Sequence, residues 1–539
     1  MTGMLVQPEL MATAAADIAG LGATLGNVNA AAAEWITGVS ATAADEVSEA
    51  TARLFNAFGN EYQAVMRQVT VFHTGFTRAL EAAADMYLQT ELASAAAAAA
   101  TPPFTFPANY TSVYISGSGI PVPSAPYMAT VFANFILPNF PGGSVTNALA
   151  LFTPAGLYPL TGTTVLTLND SVSQGLSVLQ TTLLGTGLGQ HGLIQPGGQP
   201  VVVQGISQGA IIASLEMQQL LTMPSPPTAS QLGFVLLGDP MNPNGGLLAR
   251  FPGLTLPSLG QTFYGATPSN TPWPTHIYTL EYDGIADWPQ YPLNVLADLN
   301  AVAGFYYVHP TYPGLNPAAL PPGYNIVQLP TSLGYPGITA YSMITIPHLP
   351  LLQPLRAMPL LGNPIANLIE PDLRVLVNLG YGDVAHGYST GPADIRTPFG
   401  LFPSVEPQSV FSALSAGTQQ GISAFTGDLQ ALATQPLPPL SPAGFISDVG
   451  SLLKPYTDFN TAFAKVQPTV NIATGLVATL PSYDVQLFMD GIAQVTGGQP
   501  LQGLINAIGM PIAANVGLSV LLTGYEALML TGAWYPPSG

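Results

Sequence analysis

The chain has 539 residues, of which 48% are hydrophobic and only 7% charged, with a net charge of -19 and no cysteine. The acidic balance repels phosphate backbones and excludes nucleic acid as a partner. The lack of cysteine excludes disulfides, thiolate catalysis and cysteine-based zinc sites, and the apolar content excludes disorder for want of a core.

So few charges, against roughly 25% in an ordinary soluble chain, leave the surface to small neutral polar residues, glycine and proline. That suits an apolar or partner-covered setting. The length allows two or three domains. The opening "MTGMLVQPELMATAAADIAGLG" lacks a basic segment followed by a compact apolar one, so a cleaved signal peptide is not expected.

Residues 1–100 are alanine-rich, and Val47, Leu54, Phe55, Phe58, Tyr62 and Val65 recur at helical spacing. Gly38 to Thr42 interrupts two such runs, and Thr42 with Asp45 has the form of a helix N-cap. The expected structure is a two-helix hairpin with an apolar stripe to spare, in need of a partner helix pair.

"ASAAAAAATPPFTFPANYTS" marks a change of composition, after which strand and helix patterns alternate. "TSVYISGSG" (111–119), "PVVVQ", "FVLLGDP" (234–240) and "HIYTLEYDG" (276–284) read as buried strands that end in Gly/Asp turns, and "DLRVLVNLGYGD" (372–383) as a candidate for one more. Such runs with helices between them predict a parallel sheet. From about residue 400 only helical periodicity returns. Residues 513–534 form the best membrane-span candidate, but Glu526 and internal glycines favour a buried or interfacial helix.

Within "QPVVVQGISQGAIIASLEMQQL" (199–220) the order is strand, Gly-x-Ser-x-Gly, helix. That is the context of a nucleophile elbow, with Ser207 projecting above the sheet edge and Gly205 and Gly209 leaving room for a strained turn. The pentapeptide alone is weak in a chain so rich in glycine and serine; its flanks carry the reading. A nucleophilic serine needs a base and an acid, which in the α/β-hydrolase order follow it as Ser, then acid, then His. His309, His348 and His386 remain as bases, with His309 in "FYYVHPTY" favoured. Asp239, Asp283 and Asp287 compete as the acid, with Asp283 favoured because it ends a strand. Oxyanion donors are expected from the backbone N–H of Gln208 and from Ser118 or Gly119 in the first glycine turn. Neither a metal cluster nor a dinucleotide or phosphate loop is present in the sequence, so no cofactor is expected.

"QPEL", "AADEVSEATARLF", "YQAVMRQVTVFH" and "YLQTE" resemble the N-terminal domain of mycobacterial PE proteins, and Tyr87-x-x-x-Glu91 resembles that family's type VII secretion signal. Residues from about 150 to 385, with "GISQG", "EYDGIADWPQYPLNVLADLNAVAGFYYVHPTY", "HLPLLQPLR" and "LRVLVNLGYGD", resemble the PE-PPE domain, a serine α/β hydrolase related to cutinases. Asp283-x-Ile and His309-x-x-Tyr312 are similar to the Asp and His segments of cutinases, without the cutinase cysteines. Trp35 departs from the PE pattern, which has a small or polar residue there. The resemblance implies export without a classical signal peptide, a PPE-family protein paired with the hairpin, the type VII secretion machinery, and residence at the cell wall or surface.

The expected fold is α/β: a helical hairpin (1–100), an α/β-hydrolase domain with a mainly parallel sheet (101–400), and a helical C-terminal region (401–539) that is a candidate lid or a partner- or membrane-associated segment. The expected activity is that of an exported serine esterase, lipase or acyltransferase on acyl esters, with Ser207, His309 and Asp283 as its triad. The rival readings are a non-catalytic envelope protein on a hydrolase scaffold, and a PPE-paired transport component.

Overall fold

The computed structural model describes residues 8–60 except 42 and 44–47, scattered positions from 62 to 77, and residues 105–531 except 186–190 and 435–458. The chain divides into two compact units, Met1–Phe104 and Thr105–Gly539.

In the first unit, helix α1 (Pro8–Thr37) is followed by a break at 38–41 and a second helix, α2, over 48–60. The amide side chains of Asn29 and Gln63 exchange two hydrogen bonds of 3.0 Å across the pair. Asn56 receives the Val39 N–H at 2.7 Å and donates to the Val39 carbonyl at 2.9 Å. Leu54, Phe55, Phe58 and Tyr62 are all exposed, as is Trp35 at 82%, so the expected apolar stripe faces outward. Val47, Val65, the Thr42–Asp45 cap and Tyr87-x-x-x-Glu91 lie outside the described residues.

The second unit is built on strands β1 (Thr111–Ile115), β2 (Ala148–Ala150), β3 (Val201–Ile206), β4 (Leu232–Leu237), β7 (Thr275–Leu280), β8 (Asn325–Gln328) and β9 (Thr339–Thr345), with a separate ribbon of β5 (Thr255–Leu256) and β6 (Gln261–Thr262). The main sheet runs β2-β1-β3-β4-β7-β9-β8. All its pairings are parallel except that of the exposed edge strand β8. Alternation explains why β3 and β4 read as unbroken apolar runs. Val201, Val203, Phe234 and Leu236 enter one buried cluster, and Val202, Ile206, Val235 and Leu237 enter another on the opposite face.

Helices α3 (Ala125–Val131), α4 (Leu168–Leu184), α5 (Gln208–Leu221), α6 (Leu247–Arg250), α7 (Val295–Tyr307), α8 (Gln353–Arg356), α9 (Gly362–Asn378) and α10 (Pro407–Thr434) cover the sheet and extend the unit. The strand expected at 372–383 is instead the end of α9 and one 3₁₀ turn. Its register is helical: Ala366, Glu370 and Val377 are buried together, and Arg374 pairs with Glu370 one turn earlier at 2.8 Å. Leu373, Val375 and Val377 alternate as in a strand, and a short apolar run of this kind is not told from a buried helix by its pattern.

Beyond α10, helices Phe459–Thr474, Leu480–Thr496 and Pro500–Thr531 follow. The last is, among the described residues, the one helix long and apolar enough to cross a membrane. Along one side, Ala513, Leu518, Leu521, Leu522 and Tyr525 join the same buried cluster as Trp273 and Trp288. Leu504 and Ile508, by contrast, are exposed.

Two consequences can be measured. Leu518→Ala should lower stability by about 2–5 kcal/mol, read by urea unfolding through the buried tryptophans. Leu504→Ala should stay within about 0.5 kcal/mol; equal effects would mean that this helix is not core.

The second concerns Glu216 on α5, which is fully buried with neither carboxylate oxygen hydrogen-bonded among the described residues. Burial pushes its carboxyl up to about 7 from 4.5. A carboxyl raised in the folded state binds more protons there than in the unfolded chain, so stability falls as pH rises from about 4.5 to about 7. Glu216→Gln, which mimics the protonated form, should therefore leave stability near pH 4 unchanged and raise it at pH 8 by roughly 3 kcal/mol.

Candidate active site

Ser207 sits between the end of β3 and the start of α5, with φ of 56° and ψ of -118°. This is a positive-φ conformation that a side chain rarely adopts and that marks a forced turn. The flanking glycines are required by close approach: a Cβ on Gly205 would meet the Gly209 carbonyl oxygen at 2.4 Å, and one on Gly209 would meet the Ile115 carbonyl oxygen at 2.4 Å. The Ser207 N–H donates to the Leu237 carbonyl at 3.0 Å, which fastens the turn to β4.

Gln208 opens α5, so its backbone N–H has no partner within the helix. Its side chain is fully engaged. Oε1 accepts from the Ser171 hydroxyl at 3.0 Å, and Nε2 donates to the Gly156 carbonyl at 2.7 Å and to Ser118 Oγ at 3.2 Å. Of the two residues expected in the first glycine turn, Gly119 already gives its N–H to the Ala155 carbonyl at 2.7 Å. Ser118 is thus left beside Gln208 at the mouth of the site.

His309 and Asp283 come together. His309 Nδ1 lies 2.8 Å from Asp283 Oδ2 and 2.9 Å from Oδ1, with Asp283 fully buried. The remaining carboxylate valence is also filled: Ile285 N–H donates to Oδ1 at 2.9 Å and the Tyr312 hydroxyl to Oδ2 at 2.7 Å. Tyr312 accepts the Leu280 N–H at 2.9 Å in return. Burial, with Asp283 next to it, keeps that phenol well above its ordinary range and therefore protonated. Two glycines allow the approach. Side chains at Gly284 and Gly304 would collide with the Ala301 and Tyr282 carbonyl oxygens, at 2.1 and 2.0 Å. Helix α7 therefore lies directly on the Tyr282–Gly284 turn and delivers His309, two residues past its end, to Asp283.

Ser207 and His309 share the end of β4. A Cβ on Gly238, the residue after the Leu237 that holds Ser207, would come within 3.0 Å of His309 Cε1. His309 Nε2 is buried with no hydrogen-bond partner, and it is not bonded to Ser207 Oγ.

The competing residues have other partners. Asp287 accepts the Tyr282 N–H at 3.0 Å, and burial raises it well above the usual carboxylate range although nearby Arg250 opposes this. Asp239 accepts from the Thr267 hydroxyl at 2.5 Å and the Met241 N–H at 2.9 Å, and burial pushes it up to about 6. His348 pairs with Glu370 and His386 with Asp383, each at 3.1 Å.

A pocket of about 390 Å³, open mouth included, has Ser118, Ser207 and Gln208 in its wall beside apolar Leu157, Leu168, Leu247, Leu248 and Ile285. Tyr525 from the C-terminal helix also lines it, which the sequence did not reveal. Among the described residues no group of His, Asp and Glu could hold a metal ion.

Residues 4–94 match the model of the PE family and residues 144–382 that of the PE-PPE domain. "Esterase PE16" of Mycobacterium tuberculosis is 39% identical, covering 99% of this chain and 100% of that protein. "Uncharacterized PPE family protein PPE28" of the same organism is 42% identical over 79% of this chain and 66% of its own length. A solved cutinase-like protein from Cryptococcus sp. is 21% identical, covering 34% of this chain and 82% of that one, with a TM-score of 0.22. The chain belongs to the PE family and carries a PE-PPE domain.

Proposed function

We propose that this protein is a serine carboxylic-ester hydrolase of the esterase/lipase type, acting on acyl esters, with Ser207 as nucleophile. The observation that carries this reading is His309: its Nδ1 is held by a buried carboxylate, its Nε2 is free, and its ring borders the strand end that fastens a positive-φ serine. The name of the full-length relative Esterase PE16 supports the same class.

Ser207 Oγ attacks the ester carbonyl carbon while His309 Nε2 takes its proton. Asp283 holds the imidazole through Nδ1 and stabilises the imidazolium, and Tyr312 fixes the Asp283 carboxylate. The Gln208 backbone N–H and Ser118 face the oxyanion of the tetrahedral intermediate. The imidazolium returns its proton to the leaving alcohol, and the acyl-enzyme passes to water or to a second hydroxyl acceptor. The apolar wall of the pocket suits the hydrocarbon of a lipid acyl group. The PE unit serves export: its exposed stripe pairs with a PPE-family protein for type VII secretion to the cell wall or surface.

The full-length protein is labelled with a fluorophosphonate and assayed on p-nitrophenyl acyl esters. Ser207→Ala should abolish labelling and lower kcat by at least about 10³-fold, and Asp283→Asn should lower it by roughly 10³–10⁴-fold. Wild type that neither labels nor turns over any ester would leave the elbow as architecture and favour the scaffold reading. Asp283→Asn with wild-type kcat would remove Asp283 from the mechanism.

Export is checked by fractionating mycobacteria that produce the full chain or a chain lacking residues 1–100. The first should reach the envelope fraction and the second stay in the cytosol; equal distribution would refute a secretion role for the hairpin.

A further inference from the structure

We propose that Tyr525, on the C-terminal helix, is a specificity-determining residue that limits the length of acyl chain the pocket accepts. The inference rests on the ester-hydrolase reading above.

Three observations place Tyr525 there. It lines the same pocket as Ser207 and Gln208, although it lies outside residues 144–382 that match the PE-PPE model. It is only 3% exposed, and its hydroxyl accepts from Gln261 Nε2 at 3.4 Å, Gln261 being a second pocket residue with little exposure. Its ring is backed by Phe305 of α7, with centroids 6.1 Å apart. The ring therefore has solid packing behind it and cannot simply swing away from a longer chain.

The helix that carries it is fixed in rotation as well. A Cβ on Gly524 would meet Val302 Cγ1 at 2.7 Å, and one on Gly517 would meet Pro292 Cβ at 2.5 Å. These two glycines, two helical turns apart, press one face of the helix onto α7 and the segment before it. Tyr525, next to Gly524, is thereby set into the pocket. Gln261 and the Tyr525 hydroxyl, bonded to one another, hold the ring in place at this part of the wall. The fixed volume of the ring acts against longer acyl chains.

The test measures kcat/KM of the full-length protein on p-nitrophenyl esters from acetate to dodecanoate. Tyr525→Ala should raise the ratio of long-chain to short-chain kcat/KM by about tenfold, the scale of a methylene or two in an apolar pocket. Tyr525→Leu, which retains much of the buried volume, should shift the ratio the same way by less, and it keeps the proposal testable if the alanine variant fails to fold. Leu528→Ala removes a buried side chain from the same helix without touching the pocket and should leave the ratio unchanged.

A uniform loss across all chain lengths in both Tyr525 variants, or the same shift in Leu528→Ala, would overturn the proposal and leave Tyr525 a structural residue. Wild type inactive on every ester would instead remove the ester-hydrolase reading itself. An active, Ser207-dependent enzyme whose chain-length profile ignores Tyr525 would remove only this inference.

Discussion

The positive φ of Ser207 is the constraint around which the second unit is arranged. A non-glycine residue held there costs of the order of 1–3 kcal/mol, so the surroundings must over-determine the turn. They do so from both sides. All six residues of β3 are buried between paired neighbours, and most of α5 is buried behind the turn. Gly205 and Gly209 let the helix backbone come down onto β1 and the turn, which sets the serine side chain where strand becomes helix. The same close approach opens the helix N-terminus, with its free N–H groups, beside the hydroxyl. Strain, glycine spacing and anion-stabilising geometry are thus one feature.

The acids near this site show how environment separates residues that look equivalent in a sequence. Asp239, Asp283 and Asp287 are each fully buried and each follow a buried strand. Asp239 spends its oxygens on a hydroxyl and a backbone N–H, and Asp287 faces Tyr282 N–H and the field of Arg250. Asp283 alone among the three meets a histidine, and it does so because α7 can lie on the turn that carries it. No spacing rule in the sequence encodes that docking. The glycines at 284 and 304 are its trace, and their meaning appears only once the two backbones are seen in contact.

What was legible follows the same logic. The strands at 111, 201, 232 and 275 were readable because burial on both faces leaves an uninterrupted apolar run, and the elbow because its flanks agreed with its motif. Strand β9, "TAYSMIT", was missed because it follows a long Pro/Gly-rich stretch and mixes polar with apolar residues. The end of α9 reads as a strand because Leu373, Val375 and Val377 alternate over a run too short for periodicity to separate strand from helix. Tyr312 was visible only as part of a resemblance, whereas its hydrogen bond to Asp283 depends on a 3₁₀ turn that no periodicity announces. Tyr525 could not be read at all: it lies 318 residues after Ser207, and only tertiary packing brings it to the same pocket.

The scarcity of positive charge bears on the proposed chemistry. Of nine Lys and Arg residues, Arg250 is fully buried on the Trp288 and Thr397 carbonyls, and Arg356 and Arg374 are both committed to Glu370. Few cations remain to offset 28 acids, so the field over the surface is negative. A neutral acyl ester approaches such a surface without electrostatic cost, and an anionic headgroup is disfavoured. Hydrolysis turns the neutral acyl group into a carboxylate, which the same field repels. In the proposed reaction the apolar pocket would retain the hydrocarbon of the substrate, while the net charge would favour departure of the ionised product. Low charge density and acidic balance thus agree with the proposed hydrolysis of a neutral acyl ester to an anionic product.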